Sequence, residues 1–246
     1  MTGHPSDLIR ADIVKSCHLD YRPIEMPSDD IFDINVDLVM CVDGTGSMGH
    51  VIGMVKDNVM TFHERLKESL KSFNREVDEL RIKVIVFRDL TCDGDDGLIE
   101  SPFFKLPQDV ESFKNFVMRI EATGGGDAPE TALDAIALAM KSDWVKTGAK
   151  RRHAIMVWTD APTKDIYGGG TNFDLPKSNA ELFSLWDDPQ IGMNANAKRL
   201  IVFAPDDPSW AFVDDLENTY WAKSNLNGGL EEFDLEAVLR TLSASL

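Results

Sequence analysis

Asp43, Thr45 and Ser47 place one carboxylate and two hydroxyls at i, i+2 and i+4, inside the stretch VDLVMCVDGTGSMGHVIGMVKDNVM at 36–60. A loop with that spacing aims alternate side chains at one point. Hard oxygen donors of this kind suit Mg²⁺, Mn²⁺ or Ca²⁺ rather than zinc. The same residue types also build turns and helix caps, so the pattern needs partners elsewhere in the chain. Two later loops offer carboxylates: Asp127 in TGGGDAPET, after three consecutive glycines, and Asp160 in VWTDAP.

Three other chemistries share parts of the first stretch. Gly44, Gly46 and Gly49 spell the dinucleotide fingerprint GxGxxG, but the acidic residue expected about 20 positions on falls inside a helical pattern, and Asp43 would set a carboxylate beside the pyrophosphate. TGSMG approaches the GxSxG nucleophile elbow. The last histidine, His153, precedes the strand carrying the next aspartate, so Ser47 lacks a late base. VDGT resembles phosphotransferases whose nucleophilic aspartate lies two residues earlier, and Cys41 holds that position here.

The elements that must position these residues follow from apolar spacing. Residues 36–42 form a β-branched apolar run that stops at Asp43 and opens into a helix to about Asn74, with Val55, Val59, Phe62, Leu66, Leu70 and Phe73 facing a core. Residues 80–87 give a second strand ending in Arg88-Asp89. TCDGDDG at 91–97 reads as a solvated hairpin turn, since it lacks the closing Glu of an EF-hand. Residues 97–106 give a short antiparallel edge strand, where Pro102 is tolerated. Val110, Phe113, Phe116, Val117 and Ile120 mark another amphipathic helix.

The three glycines before Asp127 allow close backbone approach to a bound group, the alternative being a glycine-rich turn with Asp127 as a helix N-cap. Pro129 and Glu130 fit the first turn of a helix running to about Trp144. Strands follow at 154–159, 199–204 and 219–222, with helices at 176–186, 210–216 and 235–242. YGGGTN at 167–172 is a loop that could cover the sheet edge. Near-continuous apolar strands alternating with helices predict a doubly wound, Rossmann-like α/β fold. Its sheet is mainly parallel and six-stranded, with one antiparallel edge strand and helices on both faces.

The chain's 246 residues and 43 % hydrophobic content fit one sizeable domain, 34–246, preceded by an arm at 1–33 expected to pack on it. A net charge of -17 argues against nucleic acid or an anionic membrane as partner. Cys17, Cys41 and Cys92 lack metal-site spacing and read as reduced thiols. No secretory leader or 18-residue apolar run is present, and the expected location is cytoplasmic.

DGTGS, GGGDAPETALDAI and VWTDAP occur in the order of the motifs of the von Willebrand factor A domain, and residues 34–245 resemble that family. DGTGS is similar to its DxSxS adhesion motif, with Thr45 in the first serine slot. Aligned through TAL, Asp127 takes the place of a threonine found in integrin-type domains. The GGGDxPE form with Arg88-Asp89 is similar to intracellular A domains associated with alpha-kinases and to TerY-like proteins of tellurium-resistance clusters. The resemblance implies a metal-ion-dependent adhesion site in which Asp43, Thr45, Ser47 and Asp127 hold Mg²⁺ (or Mn²⁺ or Ca²⁺) and Asp160 acts through water. It also implies a coordination position left for a partner's oxygen.

The function this implies is a divalent-metal-dependent protein-interaction module. It would serve as an intracellular adaptor in a multiprotein, stress-response assembly, bind another protein through the metal site and have no catalytic residues. The alternative is a metal-dependent hydrolase or phosphoryl-transfer enzyme activating water near Asp89 or Glu130. Against it stand the lack of a Walker lysine, of a second metal cluster and of a positioned histidine base.

Overall fold

The computed structural model describes residues 34–58, 61–73, 76–126, 128–168, 172–193, 195–224, 239–240 and 243. The expected arm at 1–33, Cys17, Asp127, the centre of YGGGTN and most of the expected closing helix lie outside the described residues.

Strand β1, Ile34–Asp43, is buried on both faces along nearly its whole length, which is why its sequence is almost uninterrupted in apolar residues. It pairs in parallel with β2, Glu79–Phe87, on one side and with β5, Lys150–Trp158, on the other. Beyond β5 follow β6, Lys198–Pro205, and β7, Thr219–Ser224, both parallel. Two short strands, β3 (Leu98–Glu100) and β4 (Phe104–Leu106), run antiparallel on the outer edge of β2. The sheet order is β3-β2-β1-β5-β6-β7, with β4 on β2 below β3, so the chain winds outward from β1 in one direction and then in the other.

Alternate residues of β1 divide between two cores, as a strand period of two requires. Val36, Leu38, Met40 and Val42 face helices α1 (Gly49–Asn58), α2 (Phe62–Ser72) and α4 (Val110–Met118). Val39 and Cys41 face the other layer, built by α5 (Ala132–Met140), α6 (Asn179–Asp187) and α7 (Phe212–Asp215). A four-residue helix, α3 (Leu90–Asp93), closes the end of β2. No described helix is long and apolar enough to cross a membrane.

Four expectations need correction. The edge strand at 97–106 is two strands, making seven among the described residues: Pro102 cannot donate to the ladder, and Ser101 Oγ accepts the Val84 N–H at 2.9 Å where the pairing breaks. The helix to Asn74 is described as two segments, and Phe73, at the end of α2, is exposed. TCDGDDG does lie in the connection between antiparallel β2 and β3, mostly exposed, but it is not a simple turn. It forms α3 and a 3-10 turn at Gly94–Gly97, with Asp89 capping α3 by accepting the Thr91 N–H. Finally, α5 begins at Ala132, so Pro129 and Glu130 are not in its first turn. Glu130 instead bridges to Thr163 as a single parallel pair, its N–H donating to Pro162 O at 2.9 Å and its carbonyl accepting Lys164 N–H at 2.7 Å.

A buried ion pair ties β1 to β2 at the opposite end of the sheet from the candidate loops. Arg81 donates Nε to Asp37 Oδ1 at 2.7 Å and Nη2 to Asp37 Oδ2 at 2.6 Å, and Oδ2 also accepts the Val145 N–H at 2.6 Å. Phe103 covers the guanidinium, 4.5 Å from its ring centre. Removing one partner of such a pair leaves a buried charge and a backbone donor without partners. Asp37→Ala should therefore lower the unfolding free energy by about 3 kcal/mol in urea denaturation; a loss near zero would show that the pair is dispensable.

Candidate metal centre

The carboxyl ends of β1, β2 and β5 lie side by side because β1 is the point where the winding direction reverses. Three segments leave these ends: Gly44 to Met48 after β1, Arg88 to Gly97 after β2, and Thr159 to Lys164 after β5. The glycine loop before α5 lies among them, since Thr123 donates its N–H to Gly44 O at 3.0 Å. Gly44 is required here, as a Cβ would come within 2.5 Å of Val86 Cγ1. Gly125 has a φ of +75°, and a Cβ there would meet Thr45 Cγ2 at 2.6 Å.

Asp43 is fully buried at the end of β1. Its Oδ1 accepts the Thr45 N–H at 2.9 Å and the Thr45 hydroxyl at 2.6 Å, while Oδ2 accepts the Thr159 hydroxyl at 2.6 Å. Thr45 Oγ1 lies 3.3 Å from Ser47 Oγ, and Ser47 Oγ donates to Asp160 Oδ1 at 3.0 Å. Four of the five expected ligands are thus one connected group of oxygens. The fifth, Asp127, falls outside the described residues.

Around this group the basic residues are committed elsewhere. Arg88 is buried and donates to the carbonyls of Gly44 (3.2 Å), Thr123 (2.6 Å), Asp96 (2.9 Å) and Glu121 (2.9 Å), so it binds the loops together through their backbones. Lys164 pairs with Asp89 Oδ2 at 2.7 Å and donates to Thr91 Oγ1 at 3.0 Å. Burial pushes the Asp89 carboxyl up, but hydrogen bonds from Cys92, Lys164 and Thr91 outweigh it and hold it well below the usual range.

Asp43 behaves oppositely. Burial, with a smaller push from Asp160, outweighs its three hydrogen bonds and raises it to about 6. Glu130 is raised to about 7, first by burial and then by Asp43 and Asp89. Its Oε2 is buried and makes no hydrogen bond among the described residues.

The donor types are those that suit a hard divalent cation, although among the described residues no group of three or more His, Cys, Asp or Glu stands close enough to hold one. All contributing atoms are carboxylate or hydroxyl oxygens, they converge from two strand ends, and buried negative charge exceeds what Lys164 offsets. The sequence pattern pointed to Asp43, Thr45, Ser47 and Asp160. It did not single out Thr159, whose hydroxyl locks Asp43; the signal available was a polar residue closing an apolar strand just before an aspartate. It also gave Lys164 no role and placed Glu130 in a helix. The neighbourhood of Pro162 and Glu130 is created by long-range pairing that no local pattern encodes.

Fold and site together define a doubly wound α/β domain with an oxygen-rich centre at its switch point. Residues 102–173 match the family model of the von Willebrand factor A domain. No curated protein matches the chain. Among solved structures the fold is similar to the pilus adhesin SpaC from Lactobacillus rhamnosus GG, with a TM-score of 0.50 and 14% identity over 85% of this chain and 30% of the adhesin. The open conformation of SpaC gives 0.49 and 15% with the same coverage. The chain thus spans about 30% of that protein's length. The family match covers residues 102–173, and the likeness to SpaC shows the fold.

The raised acids set a pH dependence for the metal-free protein. Asp43 and Glu130 move from ordinary values of 3.8 and 4.5 to about 6 and 7, so between about pH 4 and 7 the folded state holds more protons than the unfolded chain. Their contribution to stability is full below pH 4 and is lost as pH rises, on the order of 3 kcal/mol for Asp43 alone. Asp89 acts below this window, with the opposite sign. In chelator, the double variant Asp43→Asn/Glu130→Gln should flatten the fall of melting temperature from pH 4 to 7; an unchanged slope would refute the assignment.

Proposed function

We propose that this protein is a divalent-metal-dependent protein-interaction module, without catalysis of its own, that binds a partner protein at the carboxyl edge of β1 and β5. The observation that carries the reading is the single hydrogen-bonded group formed by Asp43, Thr45, Ser47 and Asp160. Mg²⁺, Mn²⁺ or Ca²⁺ bound there would supply an electrophilic point for a partner's oxygen. Asp43 and Asp160 provide charge, Thr45 and Ser47 provide neutral donors, and Thr159 fixes the Asp43 carboxylate in place. Ser47, the exposed member, sits at the entrance.

Asp127 shapes which partner is accepted. Two aspartates neutralise a divalent ion, whereas Asp43, Asp127 and Asp160 leave a formal charge of -1. At a few ångströms and an effective dielectric near 20, that extra charge disfavours an incoming carboxylate by roughly 4 kcal/mol before screening. The centre therefore holds its ion more firmly than an integrin-type site, or receives a less charged oxygen. GGGDAPE and Arg88-Asp89 support the finer reading, a cytoplasmic adaptor of the alpha-kinase-associated or TerY-like kind serving a stress response. The similarity to a pilus adhesin supports the coarser one, a binding domain.

Calorimetric titration of Mg²⁺ and Mn²⁺ into chelator-treated protein should show binding in the wild type that is abolished in Asp43→Ala, and no binding in the wild type would sink the reading. Asp127→Thr should weaken the ion's affinity and strengthen binding of a carboxylate-bearing ligand.

A further inference from the structure

A run of cations stands at the end of the sheet away from the candidate loops. KTGAKRR at 146–152 holds four basic residues and no acid, in a chain of net charge -17. Lys146 to Lys150 are exposed and lead into the first residues of β5. Arg199, near the start of β6, lies one strand over, where Ala154 pairs with it.

This run is built on a fixed base. Trp144 is buried against His153, with ring centres 5.2 Å apart, and its Nε1 donates to Met140 O at 3.0 Å. Val145 donates its N–H to Asp37 Oδ2 at 2.6 Å, and His153 Nε2 lies 3.1 Å from Val145 O. Above that base two side chains close the backbone: Asn35 Nδ2 donates to Thr147 O at 3.1 Å, and Arg151 Nη1 donates to Lys146 O at 2.8 Å. Gly148 has a φ of +101°, and a Cβ there would stand 2.6 Å from Asn35 Nδ2. The turn is therefore held in one shape while its residues stay exposed, and little order has to be imposed when something binds to it.

Its charges are not spent inside the molecule. Lys146, Arg151 and Arg199 form no ion pair among the described residues. The two guanidinium groups donate instead to Lys146 O, Lys198 O and the Asn218 side-chain oxygen. The acids at this end are engaged elsewhere: Asp37 is bonded to Arg81, Asp78 Oδ2 accepts the Ile34 N–H at 2.7 Å, and Asp143 acts on Arg81. With 9 residues in β5, the acidic carboxyl edge is roughly 30 Å away, several screening lengths at physiological salt.

We propose that the turn at 146–151 is a second interaction surface, which takes a short acidic segment of a partner protein with its carboxylates on Lys146 and Arg151. Charge decides the class of occupant. A long polyanion such as nucleic acid, or an anionic membrane, is repelled by the negative excess around the patch, whereas a few carboxylates meet only the local cations. A second copy of the chain brings the same negative excess with it. The planar donor fork of Arg151 suits a carboxylate, and Lys146 adds a point charge beside it. This surface needs no metal ion and does not rest on the reading of the carboxyl edge; it lies at the opposite end of the sheet from that proposed site.

The test uses the full chain, isotope-labelled and in chelator, with a tetra-glutamate peptide with blocked ends as probe and backbone amide shifts followed by nuclear magnetic resonance. The expected result is saturable shifts at 146–151, with affinity falling about threefold between roughly 50 and 300 mM salt. In Lys146→Glu/Arg151→Gln the affinity should fall about tenfold. The control Lys177→Glu/Lys223→Gln makes the same change in net charge at other exposed positions and should bind like wild type. Unshifted amides at 146–151, unchanged affinity in the first variant, or an equal loss in the control overturns the proposal. So does tighter binding of a four-nucleotide single-stranded DNA at the same residues, which assigns the surface to nucleic acid. Self-association in sedimentation that Lys146→Glu/Arg151→Gln abolishes assigns it to a second copy and equally overturns the proposal. Circular dichroism reports folding; if the double variant does not fold, the wild-type shift map and the single exposed variant Lys146→Glu decide by the same outcomes.

Discussion

At the carboxyl end of β1, a carboxylate sits where almost no water reaches, and the loops around it are arranged to make that tolerable. Asp43 terminates a strand flanked on both sides by parallel neighbours, so it inherits their burial. Three donors from two segments answer it: the Thr45 N–H and hydroxyl from its own loop, and the Thr159 hydroxyl from the end of β5. Because these bonds cross from β1 to β5, they also fix where Ser47 and Asp160 meet. Compensation of one buried charge thus sets the geometry of the whole centre.

The chain treats its acids at this edge in two ways. Asp89 is matched locally, by Lys164, Thr91 and Cys92, and is held ionised. Asp43 and Glu130 are instead raised by burial, Asp43 with a smaller push from Asp160 and Glu130 with further pushes from Asp43 and Asp89. Arg88 could in charge terms have neutralised either, yet its guanidinium is bonded to backbone carbonyls from three separate segments. That use secures loop backbone that would otherwise be buried without partners. The negative excess is then concentrated where the hydroxyls of Thr45 and Ser47 converge.

Much of this was legible in the sequence, for reasons that differ by element. β1 and β5 were plain because apolar runs closed by a nearby Asp, Asp43 and Asp160, are hard to read otherwise, and the DGTGS spacing is local. The α/β layering followed from helical apolar spacing on either side of such strands. Errors arose where tertiary pairing decided the matter. Glu130 looks like a first-turn helix residue, but pairing with Thr163 draws 130 into extended backbone and delays α5 to Ala132. The edge segment at 97–106 broke at Ser101-Pro102 because a serine hydroxyl could take over the Val84 N–H. Thr159 was passed over because its importance lies in a bond spanning 116 positions.

The centre is also graded in depth, and the grading has a direction. Asp43, Asp160 and Thr45 are buried, while Ser47 and Gly46 are exposed. On the far side of Thr45, backbone at Gly125 comes so close that even a methyl group has no room, whereas a Cβ at Gly46 would meet nothing within 4 Å. Space is open on one flank of the first loop and closed on the other. Under the proposed binding role, a partner's oxygen would reach the donors past Gly46 and Ser47. The residues deepest in the site are the charged ones, and the residue at the entrance is a neutral hydroxyl. On that proposal an incoming group would meet Ser47 before the carboxylates, an order that would favour a hydrogen-bonding oxygen over a second anion.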